Sequence, residues 1–167
     1  RQIRQPIESS HDIANAFDRI TYSKGAGILA MFERYVGVQN FRSAIRRYMK
    51  RFAHGNATAD DLLYAISEST GDTRIVQAFR SFLEQPGIPL LEAAWSCKPN
   101  GATNIGVKQS RYLPVGSKGL ADKRWQIPAC FLFENNGRRS QHCALIAEKT
   151  QEMTAGLPIP PGMKMPF

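Results

Sequence analysis

Ser81-Phe82-Leu83-Glu84-Gln85-Pro86-Gly87-Ile88-Pro89-Leu90 is where the chain changes its period. Upstream of it apolar residues recur every three or four positions, as on one face of a helix; downstream they alternate, as on strands. Gln85-Pro86-Gly87 stops the last helix, because proline removes a backbone donor and glycine tolerates the turn. The fold class that follows is α+β in two parts, an all-helical portion over 1–86 and a small antiparallel β-sandwich over 87–167.

Working outward from this point, the helix it ends starts near Asp72 and carries Ile75, Val76, Phe79, Phe82 and Leu83 inward. Before it, Thr58 and Asp61 have the spacing of a capping box ahead of Leu62, Leu63 and Ile66, so Asp60-Asp61 reads as helix capping, not acid–base work. Phe41, Ala44, Ile45, Tyr48, Met49 and Phe52 form the stripe of a preceding helix that His54-Gly55-Asn56 ends. Arg42, Arg46, Arg47, Lys50 and Arg51 are what remains outside that stripe, a solvated face. Ile28, Leu29, Phe32, Tyr35 and Val36 give another stripe, stopped at Gly37. A short helix after Pro6 and Ser9-Ser10 uses Ile13, Ala14 and Phe17.

Toward the C-terminus, Leu90 to Cys97, Asn104 to Leu113, Trp125 to Glu134 and Ser140 to Ala147 read as strands. Turn clusters at Pro99-Asn100-Gly101 and Gly116-Ser117-Lys118-Gly119 separate them. The Gly156-Leu157-Pro158-Ile159-Pro160-Pro161 tail reads as extended and strand-poor, a β-sandwich cut short at its end. If Asn136-Gly137 makes a two-residue type I′ turn, Glu134 opposes Arg139, Ile127 opposes Ile146, Ala129 opposes Ala144 and Cys130 opposes Cys143. The cysteines then fall at a non-hydrogen-bonded pair, with Cα atoms about 4.5 Å apart. They form a disulfide in a periplasmic or extracellular compartment, with Cys97 free, or they are two small buried thiols in a reducing one.

Composition bounds the function classes. The 167 residues are 43% hydrophobic and 22% charged, which is globular and not disordered. The net charge of +8 raises nucleic acid as a partner, but it is spread as +3 over 1–87 and +5 over 88–167, and no nucleic-acid partner is expected. No apolar run reaches the roughly 20 residues of a membrane span, and Arg1-Gln2-Ile3-Arg4-Gln5-Pro6 is no signal-peptide core. There is no His-Glu-x-x-His, Cys-x-x-Cys or phosphate-cradling glycine loop, and His11, His54 and His142 fall on three different elements, so no metal site is expected in this chain.

One stretch breaks local rules. In Thr21-Tyr22-Ser23-Lys24-Gly25-Ala26, a cap at or near Thr21 puts Tyr22 in the first turn, its phenol pointing past the helix end. Lys24 would then oppose the helix dipole, beside a glycine that weakens the helix by about 1 kcal/mol. Gly25 and Ala26 leave a nearly bare face one turn on. Two unfavourable choices side by side mark a functional site, or else a boundary tyrosine beside a packing glycine.

Phe17 to Ala26 resembles the Tyr-x-Lys-Gly signature of the aminopeptidase N type of zinc metallopeptidase, the gluzincin aminopeptidases. Met31-Phe32-Glu33-Arg34-Tyr35-Val36-Gly37, Phe41-Arg42 and Asn56 to Leu62 continue that resemblance in the family's order. Gly87 to Trp95 is similar to the approach to the β-sandwich that follows the catalytic domain, and Gln109-Ser110-Arg111-Tyr112 and Trp125-Gln126-Ile127-Pro128 fit its strands. The resemblance implies the end of a thermolysin-like catalytic domain plus that sandwich, in an enzyme that removes N-terminal residues from peptides. It implies zinc held by two histidines and a glutamate upstream of this sequence, so the chain alone is expected to be inactive. Of the family's catalytic residues only the tyrosine carries over, to Tyr22. Its implied role is a hydrogen bond to the oxyanion of the tetrahedral intermediate. The alternatives are a basic, non-enzymatic binding module and an inactive peptidase relative.

Overall fold

The computed structural model describes residues 2–16, 18–97, 103–120, 122–135 and 138–155. Phe17, the Pro99-Asn100-Gly101 and Asn136-Gly137 turns, the Gly156–Pro161 tail and the side chains of Ala14 and Cys97 lie outside the described residues. The helices are α1 (Ser10–Ala16), α2 (Arg19–Val36), α3 (Val38–Arg51), α4 (Ala59–Thr70) and α5 (Arg74–Leu83). The strands are β1 (Pro89–Cys97), β2 (Thr103–Arg111), β3 (Ile127–Asn135), β4 (Arg138–Ile146) and β5 (Thr150–Ala155). The architecture is α+β and two-part, helices first. One compact unit comprises Arg1–Ile88 with Trp125–Pro128, and the other Pro89–Arg124 with Ala129–Phe167.

In the helical unit, local chemistry sets the ends of the elements. Thr58 and Asp61 make the reciprocal capping box of α4: Asp61 N donates to Thr58 Oγ1 at 3.3 Å and Thr58 N to Asp61 Oδ2 at 2.7 Å. Gly37 closes α2 at φ 86° and Gly71 closes α4 at φ 72°, a region that side chains avoid. The core takes Ile28, Phe32 and Val36 from α2, Ala44 from α3, Leu63, Ala65 and Ile66 from α4, and Ile75, Val76, Ala78, Phe79 and Phe82 from α5. Phe32 and Phe79 stack with ring centroids 3.5 Å apart, and Phe82 meets Phe32 edge-on at 6.3 Å.

Three side chains expected inward are exposed instead: Ile13, Leu29 and Met49. Leu29 follows Ile28 directly, and consecutive helical residues point about 100° apart, so Leu29 falls outside the buried Ile28–Phe32–Val36 row. Trp125, expected to begin a strand, precedes β3 and is fully buried in the helical unit. The next backbone N–H, of Gln126, donates to Ser81 Oγ at 3.1 Å.

In the second unit β2 lies between β1 and β5, antiparallel to both, and β3 pairs with β4 in a second sheet. One face of β2 buries Ile105, Val107 and Gln109, while Lys108 on the other face sits opposite Glu92 of β1 at 4.0 Å. Gln109 is buried because its amide is used: Nε2 donates to Glu148 O at 3.0 Å, and its backbone N to Lys149 O at 2.8 Å. β5 is a strand the alternation pattern does not predict. Its inward positions are Gln151 and Met153, paired with Val107 and Ile105. Gln151 replaces apolar burial with bonds to Ala147 N at 3.1 Å and Leu145 O at 3.2 Å.

Two of the four pairs expected between β3 and β4 are present. Cys130 and Cys143 are joined in a disulfide with Cα atoms 4.0 Å apart, and Arg139 Nε donates to Glu134 Oε2 at 2.9 Å.

Candidate functional site

The head of α2 is built from Asp18. Its extended backbone (φ −110°, ψ 168°) makes it the N-cap, and its Oδ1 accepts from Thr21 N at 2.7 Å. The cap therefore lies three residues before Thr21, where the sequence reading put it. Aspartate wins because its short carboxylate reaches the N3 donor directly and its charge suits the positive end of the helix.

This shift changes the setting of the motif. Tyr22 N donates to Asp18 O at 3.2 Å, so Tyr22 is the residue at which intrahelical bonding begins. Its side chain is 67% exposed. Lys24 is not a first-turn cation opposing the dipole. It lies one turn in, half-buried, and its Nζ donates to Gln85 O at 3.1 Å, two residues beyond α5. That is the negative end of a helix, where a cation is favoured.

Gly25 and Gly27 fit neither strain nor tight packing among the described residues, since a Cβ at either would meet nothing within 4 Å. Tyr22, Ser23, Ala26, Gly27, Leu29 and Ala30 leave this side of α2 open. Thr21 Oγ1, beside it, is buried without a hydrogen-bond partner among the described residues.

The other candidates are kept apart. His11 lies on α1, His54 follows α3 at φ 59°, and His142 lies on β4. Among the described residues no three His, Cys, Asp or Glu side chains gather as a metal would require. The donors present therefore do not fit zinc, and no chemical step is derived through it.

Asp61 caps α4, as expected, and its carboxyl is held below the usual range, first by the Thr58 N–H and then by its hydroxyl. Asp60 does something else: it pairs with Arg80 at 3.1 Å and Arg4 at 3.6 Å. Of the basic residues on α3, Arg47 and Arg51 face Glu68 at 3.9 and 3.6 Å. Two of the five arginines and lysines there thus have an internal carboxylate, which fits a solvated face better than a phosphate-binding one. Sequence reasoning missed Asp18, which Asp-x-x-Thr before an apolar run could have signalled, and it missed the Lys24–Gln85 bond, which has no local signal.

The described residues thus form a helical unit with an exposed tyrosine at a helix head, followed by small antiparallel sheets. Residues 1–84 match the model of the peptidase family M1 domain. The chain belongs to that family. It is 34% identical over 137 residues to a probable M1 family aminopeptidase 1 of Encephalitozoon cuniculi, covering 82% of this chain and 15% of that protein. It is 31% identical over 140 residues to a leucyl aminopeptidase of Saccharolobus solfataricus, covering 84% and 17%. A puromycin-sensitive aminopeptidase of Caenorhabditis elegans is 28% identical over 153 residues, 91% of this chain and 16% of that one. The chain thus spans 15 to 17% of the length of these curated relatives.

Proposed function

We propose that this chain is part of a zinc-dependent aminopeptidase that removes N-terminal residues from peptides, and that Tyr22 is the catalytic group it contributes. Residues 1–86 are read as the end of the catalytic domain and 87–167 as the domain after it. Membership of peptidase family M1 and the aminopeptidase names of the relatives support the activity. The observation that carries the role of Tyr22 is its phenol, 67% exposed at the head of α2 within Tyr-Ser-Lys-Gly.

A phenol is a neutral donor at neutral pH, so it can hydrogen-bond an oxyanion without first losing or gaining a proton. Such a bond strengthens as charge develops, and it therefore acts on kcat and not on substrate affinity. Zinc, held elsewhere in the enzyme, would polarise the scissile carbonyl and activate water. The described residues of this chain gather no metal ligands, so on its own the chain is expected to be silent.

In the full-length enzyme, Tyr22→Phe should lower kcat by about 10² to 10³ with KM nearly unchanged, measured on an aminoacyl anilide. An equal loss carried wholly by KM would refute the transition-state role.

The compartment is proposed to be oxidising, periplasmic or extracellular, on the strength of the Cys130–Cys143 pairing. Of the chain's three cysteines, one should titrate as a thiol in denaturant without reductant, and three free thiols would sink this reading.

A further inference from the structure

We propose that Lys24 is a positioning residue for Tyr22, its ammonium holding the head of α2 onto the end of α5 and so setting where the phenol lies. The inference rests on the role proposed for Tyr22. It starts from the two attachments of α2 to α5 that the structure describes. One is apolar: Phe32 against Phe79 and Phe82. The other is polar: Lys24 Nζ on Gln85 O at 3.1 Å. Eight residues separate them along α2, about 12 Å of helix.

Between the two attachments lie Gly25 and Gly27, with nothing among the described residues within 4 Å of where a Cβ would stand. Glycine favours the unfolded and bent forms of a helix, and the buried side chain nearest to them, Ile28, lies on the Phe32 side of both glycines. Ser23, Ala26 and Leu29 are exposed as well. Without Lys24, a head held only through Ile28 and Phe32 beyond the glycines would pivot about them. A pivot of a few degrees at Gly27 would displace the Tyr22 oxygen, at the end of the longest lever on the helix, by a sizeable fraction of an ångström. Hydrogen bonds to a transition state are lost over such distances.

The carbonyl that Lys24 meets is itself well fixed. Gln85 Nε2 folds back onto Ser81 O at 2.9 Å, and the neighbouring Leu83 O accepts from Ile3 N at 3.0 Å and Arg4 N at 2.9 Å. A long side chain with a point charge suits this task, since its stem can lie against apolar atoms while its head reaches one oxygen at a helix end. The locally odd Lys24 beside Gly25 thereby acquires a single explanation: the glycines leave the face beside the tyrosine bare, and the lysine restores the rigidity they remove.

The test is a double-mutant cycle in the full-length enzyme, joined to amide exchange over residues 22–27. Lys24→Met keeps the stem and removes the donor. It should lower kcat about 10-fold with KM within about 2-fold, and should cost less than about 2-fold more when Tyr22 is already phenylalanine. Exchange at 22–27 should quicken in Lys24→Met, and Lys24→Arg, which keeps a donor, should recover most of both effects. Full activity in Tyr22→Phe overturns the reading of Tyr22 and this proposal with it. With Tyr22→Phe impaired, unchanged exchange in Lys24→Met, or an equal loss of kcat in both backgrounds, overturns the proposal alone.

Discussion

Adjacent residues of α2 have opposite fates: Ile28 is buried and Leu29 is 39% exposed. Both are good apolar helix residues, and the sequence stripe included both. The difference comes from which row the neighbouring elements cover, a tertiary fact that a periodic pattern about 100° wide does not resolve. Phe32, sandwiched with Phe79, is the anchor of the covered row. Phe32→Ala should lower the free energy of unfolding by about 3–5 kcal/mol, and Leu29→Ala by no more than about 0.5 kcal/mol in this chain. Urea titrations of the two variants check this, and equal losses would mean that Leu29 is packed. Tyr22 was singled out at this scale because its neighbours form a motif, and the structure shows it exposed at the head of α2. The partner of Lys24 was not, because the bond joins residues 61 apart in sequence.

Among the elements, those with their own local signals were readable from sequence. The α4 capping box and the glycine stop at Gly37 follow from residues within one turn. The hairpin register of β3 and β4 followed from alternation about one turn, and the Cys130–Cys143 bond and the Glu134–Arg139 pair agree with it. β5 was hidden because Gln151 faces inward and meets backbone groups, and not apolar surface. The disulfide closes a short loop, so reduction, or Cys130→Ser with Cys143→Ser, should lower stability by about 2–3 kcal/mol, mainly through the unfolded chain. Unfolding midpoints with and without reductant measure it, and no shift would show that the hairpin holds without the bridge.

For the whole molecule, acid should be the destabilising direction. Asp12 is held below the ordinary carboxylate range by the Ser9 hydroxyl and backbone, Asp61 by the Thr58 N–H and hydroxyl, and Asp72 by the Arg74 guanidinium at 2.8 Å. Carboxyls whose folded values are depressed take up protons more readily in the unfolded chain. The stability they contribute is present above the unfolded value near pH 4 and is lost as pH falls through the folded one. The urea midpoint should therefore be nearly flat from about pH 7 to 5 and fall below about pH 4, and Asp72→Asn should blunt that fall. A midpoint that rises on acidification would contradict the sign.

The change from helices to strands was visible at Gln85-Pro86-Gly87, but the return of Trp125–Pro128 to the helical unit was not, because four residues carry no periodicity. That return gives the molecule a built-in optical probe. Its two tryptophans are unlike: Trp95 on β1 is 37% exposed and already touched by water, whereas Trp125 is fully buried and belongs to the helical unit. Loosening of the helical unit should thus redden the emission of one indole while the other stays nearly constant. The colour of the fluorescence then follows the part that carries Tyr22, without any label.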